Sequence, residues 1–163
     1  MGCFVGIDLA AFVHRPTGLA ALCNGKVETK LVHTEKEILD FITSHKPNLI
    51  AIDAPLTAPL KGKNRQAEQI LLAMGIRTFP IKGLKSMEFL YKRAQRLTRE
   101  LNKLGYKFIE TFPSPLREKF ILKSKNPHIR DAIICANVAK LHFVGKTIGY
   151  GDKKEGLIFL PTF

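Results

Sequence analysis

Two apolar stretches, Phe4-Val5-Gly6-Ile7-Asp8-Leu9-Ala10 and Asn48-Leu49-Ile50-Ala51-Ile52-Asp53-Ala54-Pro55, each carry one aspartate where a buried strand should run out. A continuous apolar run bounded by turn residues suits a strand covered on both faces, as in the middle of a parallel sheet. Helical signals lie between the two runs, so parallel strands joined by a crossover are expected, with Asp8 and Asp53 at one sheet edge. Neighbouring strands lie about 4.8 Å apart, and ligands of open α/β sheets collect at that edge. Two ionised carboxylates about 4 Å apart repel by roughly 4 kcal/mol at an effective dielectric near 20. Either a proton is taken up or a cation lies between them, and hard divalent ions such as Mg²⁺ favour all-oxygen ligands of this kind. The plainer alternative is that each aspartate caps a turn or a following helix.

The elements that must hold these acids can be read along the chain. After the first strand, Arg15-Pro16-Thr17-Gly18 turns the backbone, and Leu19 to Cys23, Asn24-Gly25 and Lys26 to His33 read as a hairpin. Thr34 and Glu37 form a capping-box pattern ahead of a helix stopped by Pro47. The second aspartate-ended strand follows. Asn64 to Met74 and Leu84 to Leu104 read as helices closed by Gly75 and Gly105. Tyr106 to Thr111 is a third buried strand with Glu110 near its end. A last helix starts at Asn126-Pro127, asparagine as cap and proline at the first helical position, which puts His128 and Asp131 near its start. Thr147 to Tyr150 and Gly156 to Leu160 read as a small hairpin around Gly151-Asp152. The string β, β-hairpin, α, β, α, α, β, α, hairpin predicts a mixed five-stranded sheet, first strand central, helices on both faces. That is the layout of the ribonuclease H-like fold, with the C-terminal hairpin as an addition.

The chain has 163 residues, 45% of them hydrophobic, enough for one substantial core, so a single domain over 1–163 is expected. Lys and Arg number 26 against 14 Asp and Glu, a formal +12 that favours polyanionic partners such as nucleic acid. Lys85, Lys92, Arg96, Arg99 and Lys103 fall on one face of the helix from Leu84 to Leu104. Met87, Leu90, Ala94, Leu97, Leu101 and Leu104 fall on the other. Such a stripe can track phosphates or simply be solvated, and it carries no interleaved aromatics. Lys61, Lys63 and Arg65 form a second basic cluster nearer the aspartates, although Arg65 can also pair with Glu68, three residues on. Cys3, Cys23 and Cys135 lack CxxC spacing and sit in apolar contexts where a thiol packs, which suggests a reducing, cytoplasmic compartment. No apolar run reaches membrane-spanning length and no signal-peptide pattern occurs, so no membrane association is expected. Walker loops, GxGxxG, HExxH and paired CxxC motifs are absent. Ser114 lacks a nucleophile elbow, and His14, His33, His45 and His142 lack metal-ligand spacing.

Gly6-Ile7-Asp8, Ile52-Asp53-Ala54-Pro55, Glu110 before Phe112-Pro113-Ser114, and Asp131-Ala132 with Cys135-Ala136 resemble the domain of unknown function 429 family, over nearly the whole chain. Members of that family are described as predicted nucleases of ribonuclease H-like fold. His128-Ile129-Arg130-Asp131-Ala132 is also similar to the final-helix motif of RuvC-type Holliday junction resolvases. Those enzymes often carry a further acid one turn earlier, where this chain has Pro127 or His128. The resemblance implies that Asp8, Asp53 and Asp131 bind Mg²⁺ or Mn²⁺ and that the protein hydrolyses phosphodiester bonds of DNA or RNA. Glu110 is a fourth catalytic candidate if its side chain points inward, and His128 could position water or contact substrate. Two other readings stay open: a non-catalytic basic nucleic-acid-binding module, and a Mg-nucleotide phosphate-handling protein of the same fold. The latter would need a second domain or a homodimer, and the sequence leaves monomer and homodimer both open.

Overall fold

The structure is a computed structural model and describes residues 2–162; Met1 and Phe163, part of the expected domain, lie outside them. Strands β1 (Cys3–Asp8), β2 (Thr17–Cys23) and β3 (Lys26–Val32) are followed by helix α1 (Glu35–His45), β4 (Leu49–Asp53), α2 (Gln66–Ala73) and α3 (Lys85–Lys103). Then come β5 (Phe108–Glu110), α4 (Pro127–Phe143) and the strands β6 (Thr147–Asp152) and β7 (Gly156–Pro161). The sheet order is β3-β2-β1-β4-β5-β7-β6. β1, β4, β5 and β7 pair in parallel, while β2 and β3 on one side and β6 on the other are antiparallel to their neighbours.

The expected order of the first five strands is present, but the sheet has seven strands rather than five. The C-terminal hairpin does not stand apart. β5 has only three residues, and its outer edge is completed by β7, with Glu110 opposite Ile158. Thr111 Oγ1 donates to the Phe159 carbonyl at 2.8 Å, and Ile158 and Leu160 extend the core. Docking the hairpin both buries apolar surface and covers an edge that would otherwise present unpaired backbone groups.

Alternation along the strands divides the core into two layers. Val5, Ile7, Ile50 and Ile52 pack with Ile38 and Ile42 of α1 and Leu97 and Leu101 of α3. Phe4, Leu49 and Ala51 pack on the opposite face with Leu71 of α2 and Ile134 and Val138 of α4. Helices thus cover both faces. Local signals act as the sequence suggests: Asn24 and Gly25 turn the hairpin with φ of 52° and 77°, and Thr34 and Glu37 close a reciprocal capping box on α1.

One packing feature decides where the last helix lies. α4 passes so close over β1 and β2 that a Cβ on Gly6 would sit 2.0 Å from the Ala132 carbonyl oxygen, and one on Gly18 would sit 2.2 Å from that of His128. Ala20, Ala132 and Ala136 complete this seam of small side chains. Only glycine permits such an approach of backbone to backbone.

The cysteine reading needs correction. Cys3 and Cys23 are register partners across β1 and β2 and are joined as a disulfide, so only Cys135 remains a buried thiol. Antiparallel pairing brings together residues that sequence spacing separates, and the argument from packed thiols to a reducing compartment does not stand on this pair. No described helix is long and apolar enough to cross a membrane.

Candidate metal centre and nucleic-acid interface

Parallel pairing of β1 and β4 puts Asp8 directly opposite Asp53, at the ends of both strands. The seam at Gly6 and Gly18 brings the first turns of α4 over the same edge, and Asp131 completes the group: one carboxylate oxygen from each residue lies within 4.8 Å of the others. Asn126 caps α4, its side chain accepting from the amides of His128 and Ile129 at 3.0 and 3.2 Å, which fixes the helix start. His128 Nδ1 then lies 3.0 Å from Asp8 Oδ2. The three aspartates and the histidine expected together are together.

The electrostatics express the cost of this convergence. Burial pushes the Asp8 carboxyl up to about 6, the hydrogen bond from His128 opposing it and the charge of Asp131 adding to it. Burial, then the charges of Asp8 and Asp131, hold Asp53 well above the usual carboxylate range. Arg117 supplies a partial answer. Its Nε and Nη2 donate to the two oxygens of Asp131 at 3.0 and 2.7 Å, the bidentate geometry that suits guanidinium and carboxylate. One arginine cannot balance three carboxylates, and a set of three converging carboxylate oxygens fits a hard divalent cation such as Mg²⁺ or Mn²⁺.

Glu110 does not join this set. Its carboxylate accepts from Arg65 Nη1 and Nη2 at 2.8 and 2.6 Å and from the Leu56 amide at 2.9 Å. The inward orientation on which its catalytic candidacy depended is taken up by Arg65. Arg65 in turn does not sit with the surface lysines. It is 1% exposed, and its remaining donors reach Glu68 and Thr57 Oγ1. Burial opposes its charge, but the hydrogen bonds to Glu110 and Glu68 outweigh that and raise its pKa. A guanidinium so committed has no donor left for a phosphate, so the nucleic-acid-binding role expected of Arg65 does not fit. The local pairing with Glu68, the alternative from spacing, is what forms.

Lys61 and Lys63 are exposed, on the loop that joins β4 to α2. On α3, Lys85, Lys92, Arg96, Arg99 and Lys103 all face outward, while Ala94, Leu97 and Leu101 are buried. Leu104, expected inward, is 51% exposed because the helix ends there. Met87 and Leu90 line the cleft beside the aspartates, so the amino end of α3 stands at the site and the helix runs away from it. Lys92 and Arg96 are therefore nearer than Arg99 and Lys103; eleven residues of helix from Lys92 to Lys103 span about 16 Å. The outer face also carries an aromatic after all: Phe89 is half exposed and sets its ring at a tilt of 53° against Phe12, centroids 5.3 Å apart.

Two arginines escaped the sequence reading. Arg117 lies in an aperiodic stretch between β5 and α4, and its only sequence signal was the need of a buried Asp131 for a counter-charge. Arg93 lies on the inward face of α3, fully buried. It donates to the carbonyls of Ala10 at 2.7 Å and His33 at 2.6 Å and pairs with Glu35, fastening the loop that leaves Asp8.

This topology and site define a fold class. T. thermophilus RuvC in complex with a Holliday junction substrate is similar to this chain with a TM-score of 0.56 and 12% identity, over 88% of this chain and 96% of that one. The chain therefore has the ribonuclease H-like fold. Residues 6–113 match the family described as "Protein of unknown function (DUF429)", and the chain belongs to that family. No curated protein matches it.

Proposed function

We propose that this protein is a divalent-metal-dependent nuclease that hydrolyses phosphodiester bonds of DNA or RNA. The observation that carries the reading is the meeting of Asp8, Asp53 and Asp131 within 4.8 Å at the carboxyl ends of two parallel strands. The fold shared with RuvC, the junction bound to that protein, and the outward lysines and arginines of α3 support it.

Asp8, Asp53 and Asp131 would hold Mg²⁺ or Mn²⁺, which when bound activates water and stabilises the leaving oxygen. The protein's own groups set the frame for that chemistry. Arg117 holds both oxygens of Asp131 and neutralises one of three negative charges, so an incoming phosphate meets less repulsion. His128 keeps Asp8 in one orientation and is partly exposed, within reach of substrate or of a water. In the hydrolysis itself the oxygen of water bonds to phosphorus, the ester P–O bond breaks, and a proton from that water ends on the leaving oxygen. Lys61, Lys63, Lys92 and Arg96 contribute salt-sensitive attraction to the phosphates flanking the scissile one, and Arg99 and Lys103 extend the track. The partner is nucleic acid, the location cytoplasmic, and the unit a single domain that acts alone or as a homodimer; light scattering in solution separates the last two.

The test is a panel of labelled single strands, duplexes and branched DNAs and RNAs, incubated with Mn²⁺ or Mg²⁺ and with wild type or Asp8→Asn. Cation-dependent cutting that the substitution abolishes is expected. Cutting that survives it overturns the proposal.

A further inference from the structure

Beside the three aspartates the surface opens into a cleft of about 550 Å³. Asp8, Asp53 and Arg117 form one end of it. The rest runs between the loop that follows α2 and the first turns of α3, with Phe79, Met87, Leu90 and Phe112 as apolar walls. A carboxylate trio that binds metal has no use for an apolar chamber of this size, and the size is that of a small-molecule site.

We infer that this cleft receives a single unstacked nucleobase, with its sugar, next to the phosphate held at the aspartates, so that the preferred substrate is single-stranded or locally unpaired nucleic acid. The inference rests on the nuclease reading for what lies at the acidic end. Two features carry it further. First, the group attached to a phosphodiester at Asp8 and Asp53 is a nucleoside, and the chamber that continues from those residues has the volume for one and not for a stacked duplex. Second, the wall chemistry suits a base. Phe79 is half exposed at 51%, and the Arg77 guanidinium lies 5.9 Å from its ring centroid. Aromatic rings and guanidinium planes are the surfaces on which unpaired bases stack.

A base in a duplex would have to be flipped out to enter, at a cost that is least where pairing is already lost. The test therefore compares four probes in Ca²⁺, which fills an oxygen site, by fluorescence anisotropy or competition. They are a labelled single strand of twelve mixed nucleotides, the same sequence as duplex, that duplex with a central mismatch, and adenosine monophosphate. The single strand and the mismatched duplex should bind at least about tenfold more tightly than the perfect duplex. Phe79→Ala should remove about tenfold of single-strand affinity and leave the duplex unchanged, while Phe79→Trp retains it. Both substitutions fall on an exposed side chain, and an unchanged melting temperature checks the fold.

Equal affinity for strand and duplex, or equal loss for both in Phe79→Ala, overturns the inference. So does adenosine monophosphate binding as tightly as the twelve-nucleotide strand, which would make the cleft a site for free nucleotides. The two readings fail separately. Phe79-dependent single-strand binding with no cutting in Mn²⁺ sinks the nuclease and keeps the base cleft. Duplex cutting indifferent to Phe79→Ala does the reverse.

Discussion

Two buried acidic clusters stand side by side at the same end of the sheet, and they are resolved in opposite ways. Glu110, Glu68 and Arg65 form a closed set: all five guanidinium hydrogens have acceptors, four of them on the glutamates and one on Thr57. Among the described residues, Asp8, Asp53 and Asp131, starting one register step away from Glu110, share only Arg117, whose side chain is 55% exposed, and His128. The first cluster satisfies its charges internally. The second leaves them for a ligand. Perturbed carboxylates occur in both, so the shift alone does not mark function; the missing counter-charge does.

The contrast can be broken most severely at the open cluster. Asp53→Asn should lower cation-dependent cleavage by about 10³-fold or more in single-turnover assays, if it carries the metal chemistry. Glu110→Gln should leave cutting within a few fold once the fraction folded is corrected for, because Glu110 faces Arg65; a loss as large as that of Asp53→Asn would merge the two clusters into one site.

The closed cluster should dominate stability. Arg65→Met strands two buried carboxylates and is expected to cost about 3–5 kcal/mol in denaturant unfolding. Arg117→Met, which takes a half-exposed guanidinium away from the buried Asp131, should cost less, about 1–2 kcal/mol. It should nevertheless weaken substrate use, seen as a higher KM. A reversed order of the two stability losses would refute the division drawn here.

A smaller effect concerns pH. Asp8 titrates near 6 when folded, above its ordinary value of 3.8, so between those values the folded chain holds the proton that the unfolded chain has released. The metal-free protein therefore loses stability from this group as pH rises through that window. Above it the charge costs about 1–3 kcal/mol, because each tenfold gain in proton affinity on folding is worth about 1.4 kcal/mol. Asp8→Asn should melt higher than wild type at pH 7.5 without divalent ions. Added Mn²⁺ should raise the melting temperature of wild type at pH 7.5, less at pH 5, and hardly that of Asp8→Asn. Calorimetry across this range checks both signs.

What could be read from the chain follows from how local the signals are. Asp8 and Asp53 were visible because uninterrupted apolar runs declare central strands, and parallel neighbours with equal endings align their last residues. Asp131 was visible because Asn126-Pro127 marks a helix start. Glu110 was legible as an acid near a strand end, but the direction of its side chain was not. A strand of three residues has no alternation to say which way its glutamate points, and its answer, Arg65, lies 45 residues away. Cys3 and Cys23 were invisible as a pair because their register depends on the loop between β1 and β2, whose length does not dictate it. The hairpin of β6 and β7 was legible and its docking was not, since a strand's neighbour across a sheet is a tertiary fact.

The glycine seam under α4 has a consequence in time. Synthesis runs from the amino end, so Asp8 and Asp53 are made well before the helix that brings Asp131. The last carboxylate of the trio arrives only when that helix settles against Gly6 and Gly18.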